Sequence, residues 1–132
     1  MQIRIDHSSA RPVYQQIVDH IKRDIALGRL HKDEKLPTVR ELAAQLAINP
    51  NTIAKAYRQL EREGIIVTKP GSGAFVAGLD RGLSMSMRKE LICRDLERTI
   101  IEAVHMRIEK NALIDWFNKG VQKFKFHDRK DE

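Results

Sequence analysis

Between Thr38 and Gly64 the chain starts two helices and leaves almost nothing to join them. Thr38-Val39-Arg40-Glu41 has the capping-box form, in which the threonine hydroxyl meets the Glu41 N–H and the glutamate carboxylate reaches back. Asn49-Pro50 signals a second start, asparagine being a good N-cap and proline a good first helical residue. Leu42, Ala43 and Leu46 form the buried side of the first helix, and Ile53, Ala56, Tyr57 and Leu60 the apolar side of the second, which Gly64 ends. Only Ala47 and Ile48 remain for the connection. A helix of roughly nine residues and so short a link predict a sharp helix–helix corner.

The flanking segments complete the pattern. Residues 12–29 read as an earlier helix, with Pro12 in its first turn and Val13, Ile17, Ile21 and Ile25 recurring at spacing four. Val18 and Leu27 widen that stripe, Gly28 sits near its end, and a polar loop over 30–37 closes on Leu36-Pro37. Downstream, Ile65-Ile66-Val67-Thr68, then Lys69-Pro70-Gly71-Ser72-Gly73, then Ala74-Phe75-Val76-Ala77 predict strand, tight turn, strand. Helix, helix, corner, helix, hairpin is a winged helix-turn-helix, so the fold class is mainly α with a small β-hairpin. After Gly78 the character changes. One long helix is predicted from about Asp80 to Arg107, with Ile92, Leu96, Thr99, Ala103 and Met106 stepping by four and three in a heptad-like seam. A break near Asn111 precedes a second helix over 110–125, carrying Leu113, Ile114, Trp116, Phe117, Val121 and Phe124. The organisation expected is a winged helix-turn-helix domain over 1–78 and a short two-helix domain over 79–132, ending in the charged tail FHDRKDE.

Composition narrows the function. The 132 residues carry a net charge of +6, which favours an acidic partner such as nucleic acid or a membrane surface. No apolar run approaches the ~20 residues of a membrane helix, and MQIRIDHSSARP lacks the apolar core of a signal peptide. With Cys93 as the one cysteine there is no internal disulfide, and the chain reads as soluble and cytoplasmic. His7, His20, His31, His105 and His127 never pair at metal-ligand spacing, and neither a nucleophile–base motif nor a phosphate loop occurs. No metal, cofactor or enzymatic activity is therefore expected. Cys93 lies beside Arg94, a cation of the kind that lowers thiol pKa, but a lone helical cysteine is more often an inert packing residue than an oxidant sensor.

The polar face of the third helix points to DNA. A major groove about 12 Å wide admits one helix, whose N-terminal residues meet base edges. Here that end is Asn49-Pro50-Asn51-Thr52, with Lys55 and Arg58 following on the same side. Asparagine bridges adenine through its amide, and threonine offers a hydroxyl or a methyl. Arg40 is placed to hold the DNA backbone or reach a guanine, and the glycines of the wing leave its backbone free to approach DNA beside Lys69. Each residue taken singly has a plainer reading: a cap, a solvated first turn, a solvated helix face, an ordinary hairpin turn. Their order along the chain is what selects the sharper one. A protein-interaction module is the competing class, but its surface calls for apolar or aromatic anchors on this helix. RNA binding calls for exposed stacking aromatics.

LPTVRELAAQLAINPNTIAKAYRQLEREGIIVTKPGSGAFV resembles the DNA-binding domain of the GntR family of bacterial transcription regulators, and PVYQQIVDHIKRDIALGRL resembles that family's first helix. The resemblance covers about residues 10–78; the short two-helix remainder is similar to the YtrA subfamily. It implies a homodimeric repressor of its own operon and adjacent transporter genes, binding double-stranded DNA at a palindromic operator. By resemblance the DNA contacts fall on Arg40, Asn49, Asn51, Thr52, Lys55 and Arg58, with Lys69, Gly71, Ser72 and Gly73 in the wing. Two departures stand out. Asp33 occupies a loop position that is often glycine, which predicts a different turn. Pro50 and Ala54 stand where other subfamilies have arginine, which predicts a different base readout.

For the C-terminal part the resemblance implies dimerisation, with Ile92, Leu96, Thr99, Ala103, Met106, Trp116 and Phe117 as its interface. Two helices do not enclose a pocket of the ~300–1,000 Å³ usual for small ligands. An unidentified small-molecule effector between subunits, with Trp116 and Phe117 as walls, is the alternative, although two such aromatics at helical spacing are more often core.

Overall fold

The computed structural model describes residues 1–78 and 83–127. The predicted helix start at Asp80 and residues 128–132 of the tail lie outside these described residues. The chain divides into two compact units, Met1–Leu91 and Ile92–Glu132.

In the first unit, α1 (Val13–Ala26), α2 (Val39–Leu46) and α3 (Pro50–Arg62) precede strands β1 (Ile66–Lys69) and β2 (Gly73–Val76). The apolar stripe of α1 folds inward as its spacing requires: Ile17, Val18 and Ile21 are fully buried, and Val13 and Ile25 pack against the core from its margin. Leu27 departs from the expectation. It is the C-cap of α1 and 58% exposed. The chain turns away there, and Leu30 enters the core in its place. Ile53, Ala56, Tyr57 and Leu60 bury one face of α3 against α1 and α2. Each large aliphatic among them contributes roughly 1.5–3 kcal/mol on leaving water. Lys22 of α1, itself buried, reaches Glu63 at the C-cap of α3 with a 3.0 Å ion pair, so its charge is partnered where it is desolvated.

Both helix starts use the predicted caps. The Thr38 hydroxyl accepts the Glu41 N–H at 3.1 Å, and Asn49 Oδ1 accepts the Asn51 N–H at 2.9 Å. The return bond from the Glu41 carboxylate, expected of a capping box, is not formed among the described residues, so Thr38 caps α2 alone. The corner between α2 and α3 closes through Ala47, whose φ of 54° lies in the left-handed region. Its N–H donates to Ala44 O, and the Ile48 N–H to Ala43 O, satisfying the last carbonyls of α2.

The hairpin pairs Ile66 with Val76 and Lys69 with Gly73 in antiparallel register. At its tip Lys69 O accepts the Ser72 N–H at 2.9 Å around Pro70 and Gly71, and Gly71 has φ +78°. Proline followed by a positive-φ glycine is the signature of a type II turn. A feature not legible in the sequence adds to the sheet: the loop before α2 runs along β2 through an antiparallel bridge between Lys35 and Phe75. Asp33 takes part in this pairing, donating its N–H to Val76 O, and holds φ 67°. Asp33 thus takes a left-handed backbone, which aspartate tolerates better than most residues. The unit ends with Leu83 and Leu91, which join the same core, and Met87, which packs against it, so the compact unit runs past the composition change at Gly78.

The second unit holds the rest of α4 (Met85–His105) and α5 (Lys110–Gln122). The break between them comes earlier than Asn111, which lies inside α5. Arg107, at φ 58°, makes it, with the Ile108 N–H donating to Ala103 O. Ala103 is the one buried side chain of this unit among the described residues, and α5 buries none. No helix among the described residues is long and apolar enough to cross a membrane.

Ala47→Gly is expected to raise stability by about 0.5–1 kcal/mol. Relief of left-handed strain, ~1–2 kcal/mol, outweighs the ~0.4–1 kcal/mol of extra unfolded-chain freedom that glycine adds. Urea unfolding of the two proteins measures the difference. An unchanged or lower midpoint would show that this corner carries no backbone strain.

Candidate nucleic-acid interface

Because four residues of α3 are committed to the core, the helix has no choice about its opposite side. Asn51, Lys55, Arg58 and Arg62 recur there at spacings of four, three and four, all exposed, with Thr52 half-buried at the margin. Arg62 was not among the sequence candidates; it extends the same basic face to the last residue of α3, and the helical spacing alone would have found it. Asn49 spends its side-chain oxygen on the cap, which leaves its amide N–H groups as its remaining donors. Arg40 is the second residue of α2 and exposed.

Lys55 does not stand alone in solvent. Its ammonium lies over the Tyr14 ring of α1, 4.0 Å from the centroid. The Tyr57 hydroxyl donates to Pro37 O at 2.6 Å, tying α3 to the residue before the α2 cap. Burial first, and the nearby Glu41 carboxylate second, push the Tyr57 phenol up, so it stays protonated and remains a donor.

The wing stands beside this face. Lys69, Pro70, Gly71 and Ser72 are exposed, and Gly73 is half-buried. Lys69 Nζ lies 4.8 Å from the Phe75 ring centroid. Gly73 has φ +115°, a backbone conformation that favours glycine, and a Cβ there would lie 3.2 Å from Cε of the exposed Lys35 side chain. Lys35 thus joins Lys69 on the hairpin through a bridge that nothing in its local sequence announces. Thr68 donates its hydroxyl to Glu61 Oε2 at 2.8 Å, linking β1 to α3. Between them runs an open groove of about 280 Å³ lined by Thr38, Val39, Ala54, Tyr57, Arg58 and Gly73 among others. Ala54 lines part of this groove.

Residues 13–76 match the family model described as bacterial regulatory proteins, gntR family. The HTH-type transcriptional repressor YtrA of Bacillus subtilis (strain 168) is 37% identical over 117 residues, 89% of this chain and 90% of that relative. The chain belongs to the GntR family. A GntR family transcriptional regulator from Listeria monocytogenes has a similar structure, with a TM-score of 0.66 at 35% identity over 87% of this chain and 98% of that one. AraR(DBD) in complex with operator ORX1 is similar over 58% of this chain and 99% of its own, with a TM-score of 0.53 at 29% identity. The relatives of this GntR chain are transcriptional regulators, not enzymes, and the chain is a DNA-binding transcriptional regulator with the family's winged helix-turn-helix.

The C-terminal residues singled out in this GntR chain fall into different surroundings. Ile92, Leu96 and Thr99 are exposed on α4, Ala103 is buried, and Met106 lies in the turn after it, 70% exposed. Thr99 returns its hydroxyl to Asp95 O at 3.1 Å. The exposed apolar face is wider than the predicted seam: Ile92, Leu96, Ile100 and Val104 line up at spacing four with Ile101 alongside. A heptad template sees only two positions in seven and so passes over Ile100 and Val104. Trp116 and Phe117 are 54% and 53% exposed, so neither is core within one chain, and Cys93 is exposed rather than packed.

Thr68→Val keeps the β-branched shape of the strand and removes only the bond to Glu61. Backbone amides of the hairpin are expected to exchange up to about tenfold faster while those of α1 and α3 stay unchanged, as read by native-state hydrogen exchange. Equal protection in both proteins would mean that the wing is held by its base alone.

Proposed function

We propose that this GntR regulator is a homodimeric repressor that reads a palindromic operator with α3 and braces on the flanking backbone with its wing. The observation that carries the reading is the division of α3 into a fully buried face and an exposed face bearing Asn51, Lys55 and Arg58 beside an exposed glycine-rich turn. Asn51 and Thr52 at the first turn read base edges; Arg40, Lys55 and Arg58 hold phosphates or guanines; Lys69, Gly71, Ser72 and Gly73 approach the backbone. Asn49 serves first as a cap and offers its amide N–H groups to DNA. The operator complex of the similar AraR domain supports this use of the fold. The repressor YtrA, similar along most of the chain, supports repression; the protein's own operon and adjacent transporter genes are the targets that the family resemblance implies.

Dimerisation is assigned to residues 79–132. Among its described residues this unit buries one side chain and leaves Ile92, Leu96, Ile100, Ile101, Val104 and Trp116 exposed, and exposed apolar side chains gathered in this way mark an interaction surface. A second copy covers it and sets two α3 helices on half-sites one helical turn, about 34–36 Å, or a multiple apart. A small-molecule effector between subunits, walled by Trp116 and Phe117, is the second reading, favoured by the exposure of both rings.

Gel-shift titration on the protein's own promoter and on random DNA, at two salt concentrations, tests the reading. The promoter is expected to bind more tightly, both affinities falling with salt. Equal affinity for the two would remove the operator from that promoter, and no binding at low salt would remove DNA altogether. Asn51→Ala should weaken promoter binding by ~1–3 kcal/mol and spare random DNA. Lys69→Ala should weaken both alike and flatten the salt slope by about one unit. Ile100→Asp changes an exposed residue of the second unit, so the core of the first unit is untouched. It should convert dimer to monomer in sedimentation velocity and lower promoter affinity by roughly a hundredfold or more, as the second half-site contact is lost. A monomeric wild-type protein would remove the dimer.

A further inference from the structure

The contact between Lys55 and Tyr14 joins the recognition face of α3 to α1 across 41 positions of sequence. Tyr14 is the second residue of α1, half-buried and packed against the core, so its ring is held in place. Beside it Gln15 spans the two helices, its Nε2 donating to Gln59 Oε1 on α3 at 3.3 Å and to the Tyr14 hydroxyl at 3.0 Å, while the ring itself is held by its packing against the core. Gln59 lies one turn beyond Lys55. Tyrosine faces attract an ammonium within about 6 Å of the centroid, and the 4.0 Å seen here is well inside that range. An ammonium carries three donors, and a ring face cannot occupy them all; Lys55 is exposed, so the others remain open to solvent. A lysine on an open helix face loses rotamer freedom when it meets DNA, whereas one already seated on a ring has less to lose.

We infer that Tyr14 is a positioning residue for DNA binding: its ring seats the Lys55 ammonium on the α3 face before DNA arrives, so that α1 takes part in recognition through the face of an aromatic side chain. The inference rests on the reading of Lys55 as a DNA contact. The test is a double-mutant cycle of Tyr14→Leu and Lys55→Ala with Tyr14→Phe as the conservative variant. Affinity is measured by fluorescence anisotropy on a duplex of the protein's own promoter region and on a random duplex of equal length. Lys55→Ala should weaken binding. Tyr14→Leu should weaken it by about two- to fivefold, the size of an exposed cation–π contact. Tyr14→Phe should match the wild type, and Tyr14→Leu should cost nothing more once Lys55 is alanine. Comparison within the Tyr14→Leu background cancels any loss of stability, and Tyr14→Phe leaves the packing in place. If Lys55→Ala binds both duplexes like the wild type, the reading of Lys55 fails and takes the inference with it. If Lys55→Ala weakens binding but the two substitutions add, the reading stands and the positioning role falls. Tyr14→Phe as weak as Tyr14→Leu would assign the effect to the hydroxyl, and tighter binding by Tyr14→Leu would show a stack that holds Lys55 back; each overturns the inference.

Discussion

Burial of Ile53, Ala56, Tyr57 and Leu60 against α1 and α2 is the constraint on which the rest of the first unit depends. A helix of this length with one face in the core has its opposite face decided by geometry, and here that face carries amides and cations. The same burial makes the Tyr57 hydroxyl a committed donor to Pro37 O, which holds the entry to α2 against α3. The left-handed Ala47 then closes the corner with the last carbonyls of α2 already satisfied. Presentation of the recognition face is therefore a by-product of packing, and the polar residues on it are not needed to hold the helix in place.

Around that helix, three cross-links set how the surface is arranged. Lys22–Glu63 fastens α1 to the end of α3, Tyr14 and Gln15 reach α3 near its middle, and Thr68–Glu61 brings in the wing. Each joins elements distant in sequence or separated by a turn, and each uses side chains at or near the surface apart from Lys22. The bridge through Lys35 gives the hairpin a third partner and puts a second cation on it. The basic character of the interface thus comes from four elements, although α3 supplies the greater share.

What could be read from the sequence was what local chemistry fixes. Thr38 and Asn49 cap as expected because a cap is decided within three residues. The Lys69–Gly73 turn was legible because proline and glycine leave the backbone few options. The misreadings lie where the decision is made elsewhere. Leu27 fits the periodicity of α1 but falls where the chain turns off, and periodicity does not say where a helix stops. Asn111 looked like a breaker, yet Arg107 takes the left-handed conformation, a choice no propensity would make. Asp33 takes a left-handed φ of 67° while its N–H pairs with Val76 O, a long-range bond that the local sequence does not announce. The Tyr14–Lys55 stack was invisible for the plainest reason: it is a tertiary contact, and either residue alone reads as an ordinary surface or core position.

The second unit raises a different matter. With Ala103 its one buried side chain among the described residues, it has almost no core to hold it together on its own. On the dimer reading, its order comes from the partner, and order that comes from a partner follows mass action. The number of chains competent to occupy an operator then grows as the square of the free monomer rather than in proportion to it. A regulator built this way is nearly silent while scarce and engages abruptly once its synthesis passes a threshold, so the thinness of one helical pair in a single chain becomes a nonlinearity in gene expression.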